Sequence, residues 1–394
     1  MEAIPGSRAA PAAGALARLA RSGLRGRGGG WFPAARKWHA VLVEGGQPVV
    51  IANGAEGEPG SVKDRFVMTR RPADVIAGLG LAAEALGARQ AIIYLKGSFA
   101  GPAAALREAL QRRPPAGLEA EVRLGADTYV AGEETAVLEA LEGQRAWPRP
   151  KPPLPSAVGL FGRPTLVQNV ETLSRVPAAL ADPEGYRDSE TTLVSLWGHV
   201  RRPGVYEVRL GTPLGRVIEE HGLGAPDGLS MVLPAGPSAP PLRADMLATP
   251  LDPDALRAAG SGLGTASILV VRASACPLSV AASLAGFFER ESCGQCPPCT
   301  LGTARLAGVL RAIEAGQARA ADLAYLAESA GFMSMHGYCA HARTGAASVQ
   351  GLLARFPEDV RAHLDARGCP RAAARMDPFA PGSPERTAIE GTAG

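Results

Sequence analysis

The sequence predicts a chain of the α/β class in three folded parts: a layered α/β domain, a small β-grasp module and a C-terminal four-helix bundle carrying most of the cysteine. Three observations predict it. Apolar strand-like runs alternate with helical stretches up to about residue 185, two strands of alternating polarity then meet across Arg-Arg-Pro-Gly, and strand signals stop near residue 276, where helical periodicity takes over.

Taken in order, a helix over 12–22 runs into SGLRGRGGGWFP, and ARKWHAVL resumes the helical pattern, so a glycine-rich loop lies between two helices. Pro48 to Asn53 reads as a buried strand that opens into a loop rich in Gly and Glu. RPADVIAGLGLAAEAL then reads as a helix and AIIYLKG as a strand, which completes a βαβ unit. PAAALREALQRR is a helix, AEVRLGAD a strand, and GEETAVLEALEG a helix that opens with two carboxylates. The segment TTLVSLWGHVRRPGVYEVRLGTPLGRVIEEHG supplies two alternating strands and an amphipathic helix with a Thr-Pro start. SVAASLAGFFERESCG, TLGTARLAGVLRAIEAG, ARAADLAYLAESAG and AASVQGLLARF are the four helices of the bundle. Beyond about 366 the chain has little to bury and is expected to be disordered. The expected parts are 1–185, 186–275, 276–365 and a tail, 366–394.

Composition excludes several functions. The chain has 394 residues, room for two or three domains, and its 48 Gly and 34 Pro stay below the disorder threshold, so it folds with many turns. A net charge of +3 is too small a surplus for a nucleic-acid partner. The longest uncharged apolar stretch, 16 residues between Arg272 and Glu289, contains Pro277 and is too short to span a bilayer. The N-terminus lacks a secretory-type apolar run and reads as a loose lead-in to the first helix, so a cytoplasmic location is expected. Only Lys37, Lys63, Lys96 and Lys151 among the basic residues are lysines, and they mark candidate places that need a compact ammonium.

The sharpest motif is ESCGQCPPCT, which spaces Cys293, Cys296 and Cys299 by two-residue gaps. With one distant thiol, and Cys339 is the natural one, this spacing suits a cubane iron–sulfur cluster; structural zinc is the competing reading. Cys276 reads as a packed thiol and Cys369 as a stray tail thiol. The histidines, His39, His199, His221, His336, His341 and His363, read as surface or core fillers, although His336 and His341 flank Cys339. In the glycine loop, backbone amides bare of Cβ atoms suit a phosphate or a flavin edge, with Arg27 and Lys37 supplying positive charge. Glu56 and Glu58 stand where a strand ends, the usual place of a ligand crevice in an open α/β sheet, and a carboxylate there can accept from ribose hydroxyls. Glu133 and Glu134 open a helix, where its dipole alone would also favour them.

SGLRGRGGGWFPAARKW, NGAEGEPGSVKDR, GEETAVLEALEGQRAWPRPKPPLPSAVGLFGRPTLVQNVET, GHVRRPGVYEV, ESCGQCPPC and YCAHARTGAASVQGLLARF follow one another in an order that resembles the NADH-oxidising flavoprotein subunit of respiratory complex I and the related diaphorase subunits of NAD-linked hydrogenases and formate dehydrogenases. The resemblance covers about 20–365. It implies a Rossmann-like flavin domain, a soluble-ligand-binding β-grasp domain and a helical [4Fe–4S] domain. It further implies FMN contacts at Gly26, Arg27, Gly28, Gly29, Lys37, Asn53, Glu133 and Asn169, NADH contacts at Phe32, Lys37, Glu58 and Glu134, and cluster ligands at Cys293, Cys296, Cys299 and Cys339. Hydride would pass from the nicotinamide of NADH or NADPH to the flavin, and single electrons through the cluster to a ferredoxin, a [2Fe–2S] thioredoxin-like subunit or a larger iron–sulfur subunit.

Several positions depart from the family pattern. Ala55 and Gly57 stand where the family loop has Asp and Ser, Trp31 replaces a glycine, and aromatic residues are absent at Ala40 and Leu154. Losing two stacking rings costs on the order of 1 kcal/mol each. Two readings follow: an NAD(P)H:acceptor oxidoreductase, or a flavin and iron–sulfur conduit between protein partners that has lost NADH binding. A non-redox scaffold with structural zinc is the third.

Overall fold

The computed structural model describes residues 9–393, so most of the expected N-terminal lead-in lies outside the described residues. The chain divides into two compact units, Met1–Gly57 with Lys63–Glu190, and Glu58–Val62 with Thr191–Gly394.

The first unit runs α1 (Ala9–Ser22), α2 (Ala34–Leu42), β1 (Val49–Gly54), α3 (Lys63–Arg70), α4 (Pro72–Leu86), β2 (Gln90–Lys96), α5 (Ala100–Arg112), β3 (Glu119–Gly125), α6 (Glu134–Leu141), β4 (Thr165–Asn169), α7 (Val170–Ala181) and α8 (Pro183–Asp188). Its four strands form a wholly parallel sheet in the order β3-β2-β1-β4. The central strands are apolar throughout because both of their faces are covered: Val49, Val50, Ile51 and Ala52 of β1 are fully buried. The edge strand β3 exposes Glu119, Glu121 and Arg123, charges that keep an open edge from pairing with another chain. Helix α4 packs on α7 so closely that a Cβ on Gly78 would meet the Leu173 carbonyl oxygen at 1.8 Å, which only glycine allows. The strand order changes direction at β1, so the crevice at its carboxyl end lies between β1 and β4, where Asn53 and Asn169 face each other in register.

The second unit runs β5 (Thr191–Gly198), β6 (Gly204–Arg209), the short α9 (Leu214–Arg216), β7 (Leu229–Leu233), β8 (Leu242–Arg243), α10 (Pro253–Ala258) and β9 (Ser267–Arg272). These strands make a mixed sheet, β6-β5-β9-β7-β8, in which only β5 and β9 are parallel. Residues 58–62 pack here: the Ser267 hydroxyl donates to Pro59 O at 2.8 Å, and Val62 N donates to Ser195 Oγ at 3.0 Å. Five helices follow, α11 (Pro277–Arg290), α12 (Pro297–Glu314), α13 (Ala320–His336), α14 (Ala340–Arg355) and α15 (Pro357–Asp365), and a last short helix, α16 (Pro384–Glu390). Helices α11 to α14 pack in sequence, and α11 closes back on α14, where the ring of Phe288 fills the space beside Gly345.

The tail corrects the expectation of disorder. Phe379 and Ile389 are fully buried and Met376 nearly so; the Phe379 ring meets Trp197 edge-on at 6.1 Å, and Phe379 N donates to Ser283 Oγ. Three apolar side chains among many polar ones gave too weak a periodicity to read, but they find prepared places on the sheet and on α11. Three more expectations change with it. His363, read as a surface or core filler, is buried, and it stands 3.3 Å from Cys276, so it does more than fill space. Cys369, read as a stray thiol, lies 3.5 Å from the sulfur of Cys276, which is therefore more than a packed thiol.

Candidate functional site

In the first unit the glycine loop leaves α1 and returns to α2 pinned at its base, where Gly26 N donates to Phe32 O and Ala34 N to Leu24 O, each at 2.9 Å. Gly29 takes φ +110, a backbone that favours glycine, and a Cβ on Gly28 would come within 3.3 Å of the Asn169 Cβ, so the loop lies close against the end of β4. Gly30 has nothing within 4 Å of its Cβ position, which leaves that side of the loop open. Arg27 N is tied to Thr172 Oγ1 at 2.8 Å, at the start of α7.

The charge expected from Arg27 is a correction. Its side chain is buried, donates to Glu190 Oε1 at 2.6 Å and to Arg25 O at 2.9 Å, and lies over the Trp31 ring at 4.2 Å. A guanidinium already neutralised by Glu190 has little to offer a phosphate, and its amide is spent on Thr172, so Arg27 holds the loop in place. Trp31 is likewise packed, in the left-handed region at φ +51, with 5% of its surface exposed.

Most of the other predicted polar residues have a local task as well. Asn169 caps α7, its oxygen accepting from Glu171 N at 3.0 Å and Thr172 N at 3.2 Å, while its amide donates to Asp64 Oδ2 at 2.7 Å. Asn53 donates to Gly132 O at 2.8 Å and accepts from Ala55 N at 3.1 Å. Glu133 caps α6 through Thr135 N and Ala136 N. Glu56 accepts from Asp64 N at 3.0 Å and from Arg65 Nε at 3.2 Å. Lys37 and Lys151 converge on Glu134 at 2.9 and 3.0 Å, and Lys151 also reaches Glu133 at 2.8 Å. Burial opposes the Glu134 charge, but the two ammonium groups prevail and hold its carboxyl down at about 2. Phe32 is exposed beneath the Arg36 guanidinium. Glu58 belongs to the second unit, where it accepts from the Ser238 hydroxyl.

Sequence reading missed a buried ion cluster beside this crevice. Lys63, 1% exposed, pairs with Asp64 Oδ1 at 2.6 Å and Glu171 Oε2 at 3.0 Å, and Arg175 completes the balance on Glu171 at 3.0 Å. Burial works against the Lys63 charge, yet Asp64 and Glu171 beside it keep it protonated well above the ordinary lysine range. The scarcity of lysine was the one signal in the sequence: all four lysines hold an oxygen, Lys96 that of Asp127 at 3.0 Å. The side chain of Gln168 on β4 is also buried here, and its Oε1 has no partner among the described residues.

In the second unit, Cys296 caps the N-terminus of α12, Cys299 sits in its first turn, and Cys339 caps α14, the helix packed beside it. Gly294 takes φ +82 and turns the chain after Cys293. Burial pushes the Cys299 thiol up to about 12, and the charges of Cys296, Cys339 and Cys293 add to the rise. Ser292 Oγ lies 3.4 Å from the Cys299 sulfur. No side-chain hydrogen bond caps α12 or α14: α12 opens on Pro297 and Pro298, which carry no amide hydrogen, and Cys299 N and Thr300 N both donate to Cys296 O at 3.1 Å, so the positive end of the helix dipole faces the thiols without a carboxylate or hydroxyl on it. His341 is a core residue, its Nε2 at 2.8 Å from Phe288 O and its ring against Phe288, whereas His336 is exposed and stacks on Phe332.

Both places fit the groups the resemblance implies: a backbone cradle that a Cβ would fill at Gly28, beside an unpartnered buried amide oxygen, and a set of four thiols, none in a disulfide, at two uncapped helix starts.

Comparison with known proteins agrees over most of the chain. Residues 19–178 match the profile described as the Nuo51 FMN-binding domain, 193–238 the SLBB domain, and 279–363 the NADH-ubiquinone oxidoreductase-F iron-sulfur binding region. An F subunit of the NADH-quinone oxidoreductase of Rhizobium meliloti, the one numbered 2, is 37% identical over 371 residues, covering 89% of this chain and 88% of that protein. The F subunit of the NADH-quinone oxidoreductase of Streptomyces coelicolor is 36% identical over 376 residues, covering 90% and 84%. A chain of an NAD+-reducing [NiFe]-hydrogenase in the H2-reduced state superposes with a TM-score of 0.84 at 34% identity, covering 91% of this chain. This chain spans 64% of that hydrogenase chain, less than two thirds of its length.

Proposed function

Because the chain belongs to the family of the F subunits of NADH-quinone oxidoreductase, we propose that it oxidises NADH at a flavin and passes the electrons singly through a [4Fe–4S] cluster to an iron–sulfur partner. FMN, when bound, takes two electrons together and gives them up one at a time, which is the form a cluster accepts. The loop of Gly26, Arg27, Gly28 and Gly29 would hold FMN, Gly26 and Arg27 fixing it through their own hydrogen bonds and Gly28 and Gly29 offering bare backbone, with Asn53, Glu133 and Asn169 at the rim. Their caps and cross-ties keep that rim rigid before any ligand arrives. Glu134 and Lys37 would orient the dinucleotide: with Glu134 held anionic by two lysines, it is poised to accept from ribose hydroxyls, and Phe32 offers an exposed ring for stacking. Cys293, Cys296, Cys299 and Cys339 would ligate the cluster, and the positive ends of the α12 and α14 dipoles would offset its negative charge.

The observation that carries this reading is the four-thiol set at two uncapped helix starts, in a chain whose other unit holds a glycine cradle. We divide the chain accordingly: FMN and NADH over 1–185, a β-grasp module over 186–275, and a four-helix cluster domain over 276–365. Leu301, Phe332, Met335 and Tyr338 are large apolar side chains left exposed on α12, on α13 and just before Cys339, a surface suited to a [2Fe–2S] or larger iron–sulfur subunit. Among the described residues no helix is long and apolar enough to cross a membrane. We place the protein in the cytoplasm, peripheral to a membrane through its partners.

The test is anaerobic purification with flavin and iron analysis, then ferricyanide reduction with NADH and with NADPH. Flavin, iron and NADH-dependent turnover together are expected. A loaded protein that neither nucleotide reduces would sink this reading in favour of the conduit between protein partners.

A further inference from the structure

We propose that Cys276, Glu314, His363 and Cys369 form a zinc site separate from the four-thiol set. The ligand atoms of these four side chains all lie within 4.8 Å of one another. The separations are 3.5 Å between the two sulfurs, 3.3 Å from Cys276 Sγ to His363 Nε2, 3.9 Å from Cys276 Sγ to Glu314 Oε1, and 3.3 Å from that oxygen to His363 Nε2. A tetrahedron built on Zn–S bonds of about 2.3 Å and Zn–N or Zn–O bonds of about 2.0 Å has edges of about 3.8 Å between sulfurs, about 3.5 Å from sulfur to nitrogen or oxygen, and about 3.3 Å from nitrogen to oxygen. The four groups already stand at the corners of such a figure. The two sulfurs are not bonded to each other.

The surroundings orient the donors toward a common centre. His363 Nδ1 is 2.7 Å from the Asp359 carbonyl oxygen, so Nδ1 carries a proton and Nε2 faces the cluster. The second oxygen of Glu314 is held by Arg375 Nε at 2.9 Å, which fixes the carboxylate and offsets one negative charge. Cys276 and His363 are buried, with Glu314 and Cys369 partly so, which leaves a way in from solvent. Two sulfurs, an imidazole and a carboxylate are a borderline-soft set that suits zinc and offers no open position for catalysis. On binding, the protons carried by the two thiols and by His363 Nε2 leave to solvent, so the ion meets two thiolates, a carboxylate and a neutral imidazole.

The site has a structural consequence. Cys276 caps α11, Glu314 ends α12, His363 lies on α15 and Cys369 begins the tail, so one ion would tie four segments. Helix α12 would then be held at both ends, by the thiol cradle at its start and by zinc at its finish.

Zinc, iron and flavin are measured on the full chain purified anaerobically from zinc-replete culture, with zinc X-ray absorption on the same sample. The expected result is about one zinc per chain with two sulfurs at about 2.3 Å and two nitrogen or oxygen neighbours at about 2.0 Å. The double variant Cys276→Ser with Cys369→Ser is expected to lose zinc by about tenfold or more, whereas Cys293→Ser keeps zinc and loses iron. Absence of zinc from the wild type, a disulfide between Cys276 and Cys369, a four-sulfur zinc shell, or zinc retained in the double variant overturns the proposal. The absorption measurement decides even if the double variant fails to fold, and flavin and iron content report separately on the proposed function.

Discussion

Helices α6 and α7 open on oxygen, through Glu133 and Asn169, and both side chains accept hydrogen bonds from the first amides of their own helices. Helices α12 and α14 open on sulfur, through Cys296 and Cys339, and neither side chain does so. The difference teaches how two sites at helix starts are prepared. The oxygen caps spend the helix dipole on the protein's own side chains and make a rigid frame around the glycine loop. At α12 the start is satisfied without its sulfur: two prolines remove the first donors, and the Cys296 carbonyl takes the next two amides.

The comparison can be broken first at sulfur. Cys339→Ser is expected to reduce iron from about four atoms per chain to almost none while flavin stays; iron analysis with low-temperature spin resonance of the reduced protein reads it, and full iron retention would remove Cys339 from the ligand set. Next in size is the ion cluster that backs the oxygen-capped frame. Lys63→Met leaves Asp64 and Glu171 buried without their shared cation and is expected to cost about 3–5 kcal/mol in urea unfolding. A loss under about 1 kcal/mol would show that the frame does not depend on it.

Acid tests the same frame. Glu134 sits at about 2, below the usual glutamate range, so its ion pairs add stability above the unfolded-state value of 4.5, and that stability is lost as pH falls toward 2. About 3 kcal/mol is expected to disappear across that window, and Lys37→Met is expected to shrink the loss in acid titrations followed by circular dichroism. Smaller again is Asn169→Ala, which is expected to cost about 1–2 kcal/mol by uncapping α7 and to lower flavin occupancy. The smallest effect is the most pointed: Cys296→Ser is expected to abolish the cluster yet leave the stability of the apo chain within about 0.5 kcal/mol, because Pro297 and Pro298 give a hydroxyl no amide hydrogen and Cys299 N already donates to Cys296 O. An apo chain stabilised by about 1 kcal/mol or more would show a capping amide left open at α12.

Legibility followed the range of the interactions. Cys293, Cys296 and Cys299 lie within seven consecutive residues, and the chain's own turn at Gly294 brings them round, so their spacing could be read directly. The strands β1 and β2 were legible because a fully buried parallel strand is apolar without interruption. The glycine loop was visible as composition, but not that Arg27 would turn inward to Glu190, 163 positions away. Lys63 was singled out by rarity alone; its partner Glu171 comes from the far end of the unit.

The sequence by itself determined the α/β class, the order of the segments, the place of the glycine loop and three of the four clustered sulfurs, because each rests on neighbours a few residues apart. Only the tertiary structure decided which helix starts are capped by oxygen or by sulfur. It alone placed a lysine among buried carboxylates, packed Phe379 of the tail, and stood Cys276, Glu314, His363 and Cys369 at the corners of one figure. The physical reason is that these groups lie far apart along the chain, 93 positions between Cys276 and Cys369 and more between Lys63 and Glu171, and acquire their chemistry from burial, which no local pattern records.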